Sequence, residues 1–342
     1  YTISYVNGQL TVTPVTLTVA ANNTNRLYGA TNPVFTAGYS GFVNGETNTV
    51  LTGAPGLTTG ATTNSPVGGY VITNTIGSLN ATNYTFSLTN GTLTINPAAL
   101  TVTASNRSKA YGQTLVFAGT EFATAGLLNS DTVTGASLGS AGAAAGAAVN
   151  GSPYGITITN AAGSGLSNYT ISYVNGQLTV TPVTLTVAAN NTNRLYGATN
   201  PVFTAGYSGF TNNDSVAVLS GIPSLTTPAT GASAAGTYPI IATNGTLSAT
   251  NYIFSFTNGT LTISAAPMPV ILAVGLTNQA ITVTWSSVAG LTYGLQSNTD
   301  LTGTNWSNIL PNVMASGSTT SQTNTIVDAP QKFYRVTIVP SP

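Results

Sequence analysis

Twelve of the 342 residues are charged, six of each sign, and histidine and cysteine are absent. That inventory decides much of the chemistry before any element is placed. Serine and threonine nucleophiles lack their usual base, and the two lysines, Lys109 and Lys332, fall in different domains of a repetitive chain. Glycoside hydrolysis needs two carboxylates about 5–9.5 Å apart, and Glu121 and Asp131 are the pair nearest in sequence. Asp131 already fits a slot suited to capping a turn, and surface placement accounts for Glu121. A Ca²⁺ site needs several oxygen ligands, and no Asp-x-Asp-x-Asp run occurs. The residues therefore assign no catalytic group, cofactor or metal, and enzyme activity is not expected.

Half of the charges obey a pattern. Arg26, Lys109 and Arg194 stand two residues before a Tyr-Gly pair, and Glu46, Asp131 and Asp214 hold a second recurring slot. The expectation is a structural ion pair in each repeat, Arg26 with Glu46, Lys109 with Asp131 and Arg194 with Asp214, fixing a loop. Independent solvated charges are the competing reading. The carboxylate could also accept backbone N-H groups from a following helical turn, as in Asp214 to Leu219. Isopeptide crosslinks are not expected, because two of the three basic slots hold Arg. Tyr28, Tyr111 and Tyr196 could stack on sugar rings or pack as core and corner tyrosines. Trp306, in an Asn-Trp-Ser turn, offers the same choice.

These slots are positioned by repetition. Residues 1–42 recur unchanged as residues 169–210, a period of 168 residues that records duplication. Within the block, Ile3 to Val12 reads as two alternating runs joined by Asn7-Gly8, the signature of a type I′ hairpin. Pairing Val6 with Gln9 would set Tyr5 opposite Leu10 and Ile3 opposite Val12 on one apolar face. The same signature recurs at Asn90-Gly91, Asn175-Gly176 and Asn258-Gly259, at spacings of 83, 85 and 83 residues.

The chain thus reads as the closing hairpin of a truncated B module (1–14), module A (15–97), module B (98–182), a second module A (183–265) and a distinct C-terminal domain (268–342). Prolines 14, 97 and 182 mark short, stiff junctions. With 42% apolar residues and heavy Thr, Asn and Gly usage, the class is all-β: three modules, β-grasp-like or immunoglobulin-like, and a C-terminal β-sandwich. Four such modules in a line would reach about 120 Å. Zero net charge removes the driving force for nucleic-acid or membrane-surface binding, and no apolar run is long enough to span a bilayer.

The repeated Leu-Thr-Val, Tyr-Gly, Asn-Tyr and Asn-Gly-Thr-Leu-Thr-Ile elements of the A modules resemble the MBG domains of large bacterial surface proteins. Module B, with Lys109-Ala-Tyr111-Gly112 and Phe117 to Phe122, resembles the related YDG-type repeat. Trp285, a second alternating strand and the late Tyr334 resemble a fibronectin type III domain, of the kind that closes secreted proteins of Verrucomicrobia-like bacteria. The resemblance implies an extracellular or cell-surface, adhesin-like or filamentous protein with no catalytic residues. Its expected partners are neighbouring modules or copies of itself, with surface glycans as the second choice. Ile3, Tyr5, Leu10 and Val12 would be the strand through which copies assemble.

Overall fold

The computed structural model describes residues 1–277, 279–326 and 331–341. Residues 278, 327–330 and 342, inside the expected C-terminal domain, lie outside the described residues. The chain divides into two compact units. One comprises Tyr1–Lys109, Thr114–Ala147 and Gly151–Val180; the other comprises Ala110–Gln113, Ala148–Asn150 and Thr181–Pro342.

The first module of unit 1 sets the plan. Its strands are β1 (Val15–Ala21), β2 (Thr24–Leu27), β3 (Ala37–Ser40), β4 (Gly56–Thr58), β5 (Gly68–Thr75), β6 (Tyr84–Thr89) and β7 (Gly91–Asn96). One sheet runs β3-β1-β6 and the other β2-β7-β5-β4. In the first sheet β1 is antiparallel to β3 and parallel to β6, with Leu17 opposite Phe86. In the second, β7 is parallel to β2 and antiparallel to β5, with Leu93 opposite Tyr70. Alternation at period two sends Leu17 and Val19 inward from β1, Ile72 from β5, and Leu93 and Ile95 from β7, all fully or almost fully buried. Burying a Leu, Ile or Val side chain stabilises by roughly 1.5–3 kcal/mol, so these five form the bulk of a small core.

In the second module, Ala98–Ala104 lies between Phe122–Ala125 and Tyr169–Val174, and Tyr154–Ser164 lies between Thr132–Gly139 and Gly176–Thr181. Unit 2 holds the third module, where Val183–Ala189 is parallel to Tyr252–Thr257 and Gly236–Thr243 is antiparallel to Gly259–Ser264. It also holds a C-terminal sandwich of two three-stranded antiparallel sheets. Val283, Trp285, Leu291, Tyr293 and Leu295 form that sandwich's core, and Tyr334 packs against it.

The protein is all-β, a series of β-sandwich modules. No α-helix occurs among the described residues, which removes the β-grasp alternative, since that fold packs a helix on its sheet.

The Asn-Gly pairs correct another expectation. They are not hairpin turns: β6 and β7 belong to different sheets, so Asn90-Gly91 is a corner by which the chain crosses from one sheet to the other. None of Asn90-Gly91, Asn175-Gly176 and Asn258-Gly259 has the positive φ angles of a type I′ turn. Glycine is needed there for close approach. A Cβ on Gly91 would sit 2.6 Å from Ala21 O, one on Gly176 2.7 Å from Ala104 O, and one on Gly259 2.6 Å from Ala189 O. The asparagines stitch the corner: Asn90 Oδ1 accepts from Asn74 N, and Asn258 Oδ1 accepts from Ala242 N.

Accordingly, residues 1–14 form no hairpin. They carry no strand, and Ile3, Tyr5, Leu10 and Val12 are exposed. Their copies in the second module do not pair with one another. Tyr169–Val174 pairs with Ala98–Ala104, and Gly176–Thr181 with Tyr154–Ser164.

Candidate functional site

The acidic slot is where chemistry and architecture meet, though not through the expected ion pairs. In unit 1, Asp131 Oδ2 accepts hydrogen bonds from Tyr28 Oη at 2.9 Å and from Tyr169 Oη at 2.8 Å. Tyr169 comes from the same module as Asp131, and Tyr28 from the module before it. The two rings meet edge to face, with centroids 5.5 Å apart. Leu128 N donates to Tyr169 Oη at 2.8 Å, so one hydroxyl is fixed as both donor and acceptor.

The same constellation is built independently in unit 2. Asp214 Oδ2 accepts from Tyr111 Oη at 2.9 Å and from Tyr252 Oη at 2.8 Å; the rings lie edge to face at 5.7 Å. Thr211 N donates to Tyr252 Oη at 3.0 Å. A flanking asparagine repeats as well: Asn168 Oδ1 accepts from Val67 N, and Asn251 Oδ1 from Val149 N.

Each element has a reason to hold its tyrosine. Tyr84, Tyr169 and Tyr252 begin the strand parallel to the module's first strand, and each is buried. Tyr28, Tyr111 and Tyr196 sit in the turn after the buried basic residue. The glycine that follows has φ of +77°, +82° and +87° at positions 29, 112 and 197, a region that favours glycine. It is also closely approached. A Cβ would lie 2.7 Å from Leu128 Cδ1 at Gly29, 2.6 Å from Thr211 Oγ1 at Gly112 and 2.7 Å from Ile338 Cγ2 at Gly197. In the third case the C-terminal sandwich takes the place of a module, and Ser341 N donates to Gly197 O at 3.2 Å.

Electrostatics keep the hydroxyls neutral. Burial, aided by Asp131, pushes the Tyr169 hydroxyl up to about 12. Tyr111 is raised by burial and by Asp214. Tyr84 is raised through its hydrogen bond to Glu46. A neutral phenol donating to a carboxylate is a charge-assisted bond, roughly twice as strong as a neutral one.

The basic slot is satisfied elsewhere, which corrects the predicted pairs. Arg26 is buried and donates to Asn32 Oδ1, Leu27 O and Thr62 O, while Glu46 accepts from Tyr84 Oη at 2.5 Å. Arg194 repeats the set with Asn200 Oδ1, Leu195 O and Thr230 O. Burial lowers its pKa. Lys109 Nζ donates to Ala144 O at 2.8 Å. Neutral oxygens prevail because each buried cation reaches its own module's loop carbonyls, whereas the carboxylate lies where tyrosines converge. The carboxylate does not cap the helical turn either. At Val216–Val218 that falls to Ser215, whose side chain accepts from Ala217 N.

Among the described residues the ion pair is Arg107 Nη1 with Glu121 Oε1, at 3.7 Å. Glu121 also accepts from the backbone N-H groups of Ala118, Gly119 and Thr120, and Ala118's contribution leads in holding its carboxyl below the usual range. Glu121 and Asp131 thus each have a structural role. No cluster of metal-binding side chains occurs among the described residues. Of the sugar-stacking candidates, Tyr28 and Tyr111 are buried, Tyr196 is half-buried against the core of the third module, and the Trp306 ring is covered by the Arg335 guanidinium 4.4 Å from its centroid.

A family model described as MBG domain (YGX type) matches residues 17–94, 100–179 and 185–262. The chain belongs to that family, with three tandem copies. The middle copy, expected to be of YDG type, is matched by the same YGX-type model as its neighbours. No curated protein matches the chain. Among solved structures it is similar to the crystal structure of the I9–I11 tandem from titin, at 12% identity over 73% of this chain and 100% of that one. The TM-score is 0.18, too low for that likeness to carry any inference about this chain.

Proposed function

We propose that the chain is a structural spacer: a tandem array stiffened where a tyrosine of one MBG module and a tyrosine of the next share a half-buried carboxylate. The carrying observation is the recurrence of one geometry at Tyr28-Asp131-Tyr169 and Tyr111-Asp214-Tyr252. Each joint adds a charge-assisted bond, worth about 1.5–3 kcal/mol, to a proline-bearing linker a few residues long. Such joints resist hinge bending, and the output is fixed distance between what lies at either end. In this reading the protein serves as the stalk or fibre segment of a secreted, adhesin-like bacterial surface protein, and the C-terminal sandwich is fibronectin type III-like. A nearly uncharged surface supports an exposed setting, because little on it responds to salt or pH.

Small-angle scattering tests this. A monomer about 120 Å long is expected, with a broader distribution of lengths in the Tyr28→Phe, Tyr111→Phe double variant. A compact particle, or identical distributions for both proteins, would count against the stalk.

A further inference from the structure

The first module carries the same acceptor as the other two, yet only half of it is engaged. Glu46 accepts from Tyr84 Oη at 2.5 Å, and Val43 N donates to that hydroxyl at 3.1 Å. These groups correspond to Asp131, Tyr169 and Leu128, and to Asp214, Tyr252 and Thr211. Where the other two carboxylates receive a second tyrosine, Glu46 faces a hollow of ≈ 310 Å³. Val43, Asn44, Glu46 and Asn83 line it together with residues 12–15. At the equivalent positions, Leu128 lies against Gly29 and Thr211 against Gly112, and Asn168 and Asn251 accept backbone N-H groups. The hollow is thus lined by the residues that elsewhere grip a Tyr-Gly turn.

We propose that this hollow is the receptor for the Lys-Ala-Tyr-Gly turn of a B-type MBG module. Two observations select that occupant. Residues 1–14 are identical to residues 169–182, the closing strands of the second module. Their apolar side chains are exposed, whereas Tyr169, Leu178 and Val180, the counterparts of Tyr1, Leu10 and Val12, are buried. In the second module the identical segment is covered by Ala98–Ala104 and Tyr154–Ser164. The module that owns those strands also owns the Lys-Ala-Tyr-Gly turn, which in the second module reaches Asp214. A second copy's Tyr196-Gly197 is a poor alternative, because Gly197 is already approached by Ile338 and Ser341. Glu46 is one methylene longer than its aspartate counterparts, and its carboxylate still reaches the closing tyrosine.

The inference rests on the shared-carboxylate joint, and the test separates the two. Residues 98–168 are added directly ahead of Tyr1, and amide hydrogen exchange is compared in the full chain with and without the addition. Slowing of about tenfold or more is expected at Val43 to Glu46 and at Asn83, the size of a charge-assisted bond. It should disappear when the added copy of Tyr111 is changed to Phe. Unchanged exchange, or protection that survives that substitution, overturns the proposal. Protection that grows with concentration of the unextended chain also overturns it, in favour of a second copy. Exchange at Leu128 to Asp131 in Tyr28→Phe reports on the joint itself: unaltered exchange there would sink the joint independently of the hollow.

Discussion

Asp131 and Asp214 each draw two phenols onto one oxygen, and the sequence announced only half of that. The recurring acidic slot and the Tyr-Gly pairs were both visible as patterns. Their partnership was hidden because it joins residues 103 apart, in different modules, and because a nearer opposite charge drew the pairing instead. Tyr169 and Tyr252 gave a faint signal as the second residue of each Asn-Tyr. The joint has a pH signature. Tyr169 titrates near 12 when folded against about 10 unfolded, so the folded state disfavours the phenolate. Stability from this group is complete below pH 10 and is lost as pH rises from about 10 to 12. Urea unfolding across that range, read beside phenolate absorbance, should show stability falling as the buried tyrosine ionises, and Tyr169→Phe should flatten the fall.

At the scale of elements, period-two burial was legible. Leu17, Val19, Leu93 and Ile95 alternate inward as their spacing requires. Strand partnership was not, because Asn-Gly serves two ends: positive φ in a hairpin, or a backbone close enough to touch in a corner. Sequence shows the residues and not which constraint operates. The two cases differ in a substitution. Gly91→Ala forces a Cβ to within 2.6 Å of Ala21 O and 3.0 Å of Ala21 C, and a loss of about 1–3 kcal/mol is expected. Gly8→Ala meets nothing within 4 Å and should leave urea stability unchanged. Equal effects at the two glycines would mean that a turn preference, rather than close approach, selects glycine here. Gly29→Ala should be costlier than Gly8→Ala for two reasons, its φ of +77° and Leu128 Cδ1 at 2.7 Å.

For the whole molecule, the repeat period reads as three modules, and the family model matches three YGX-type copies. What repetition could not reveal is that the duplicated unit carries its own connector. A donor turn and an acceptor pocket lie in every module, so copying the module copies the joint. The connector also predicts locality: weakening one joint should leave the other intact. The decisive measurement is a double-mutant cycle in urea on Tyr28→Phe and Asp131→Ala, with Tyr111→Phe and Asp131→Ala as the remote control. A coupling of about 0.5–3 kcal/mol is expected for the first pair, and additivity within about 0.5 kcal/mol for the control. Additivity in both pairs would contradict a joint built on the shared carboxylate.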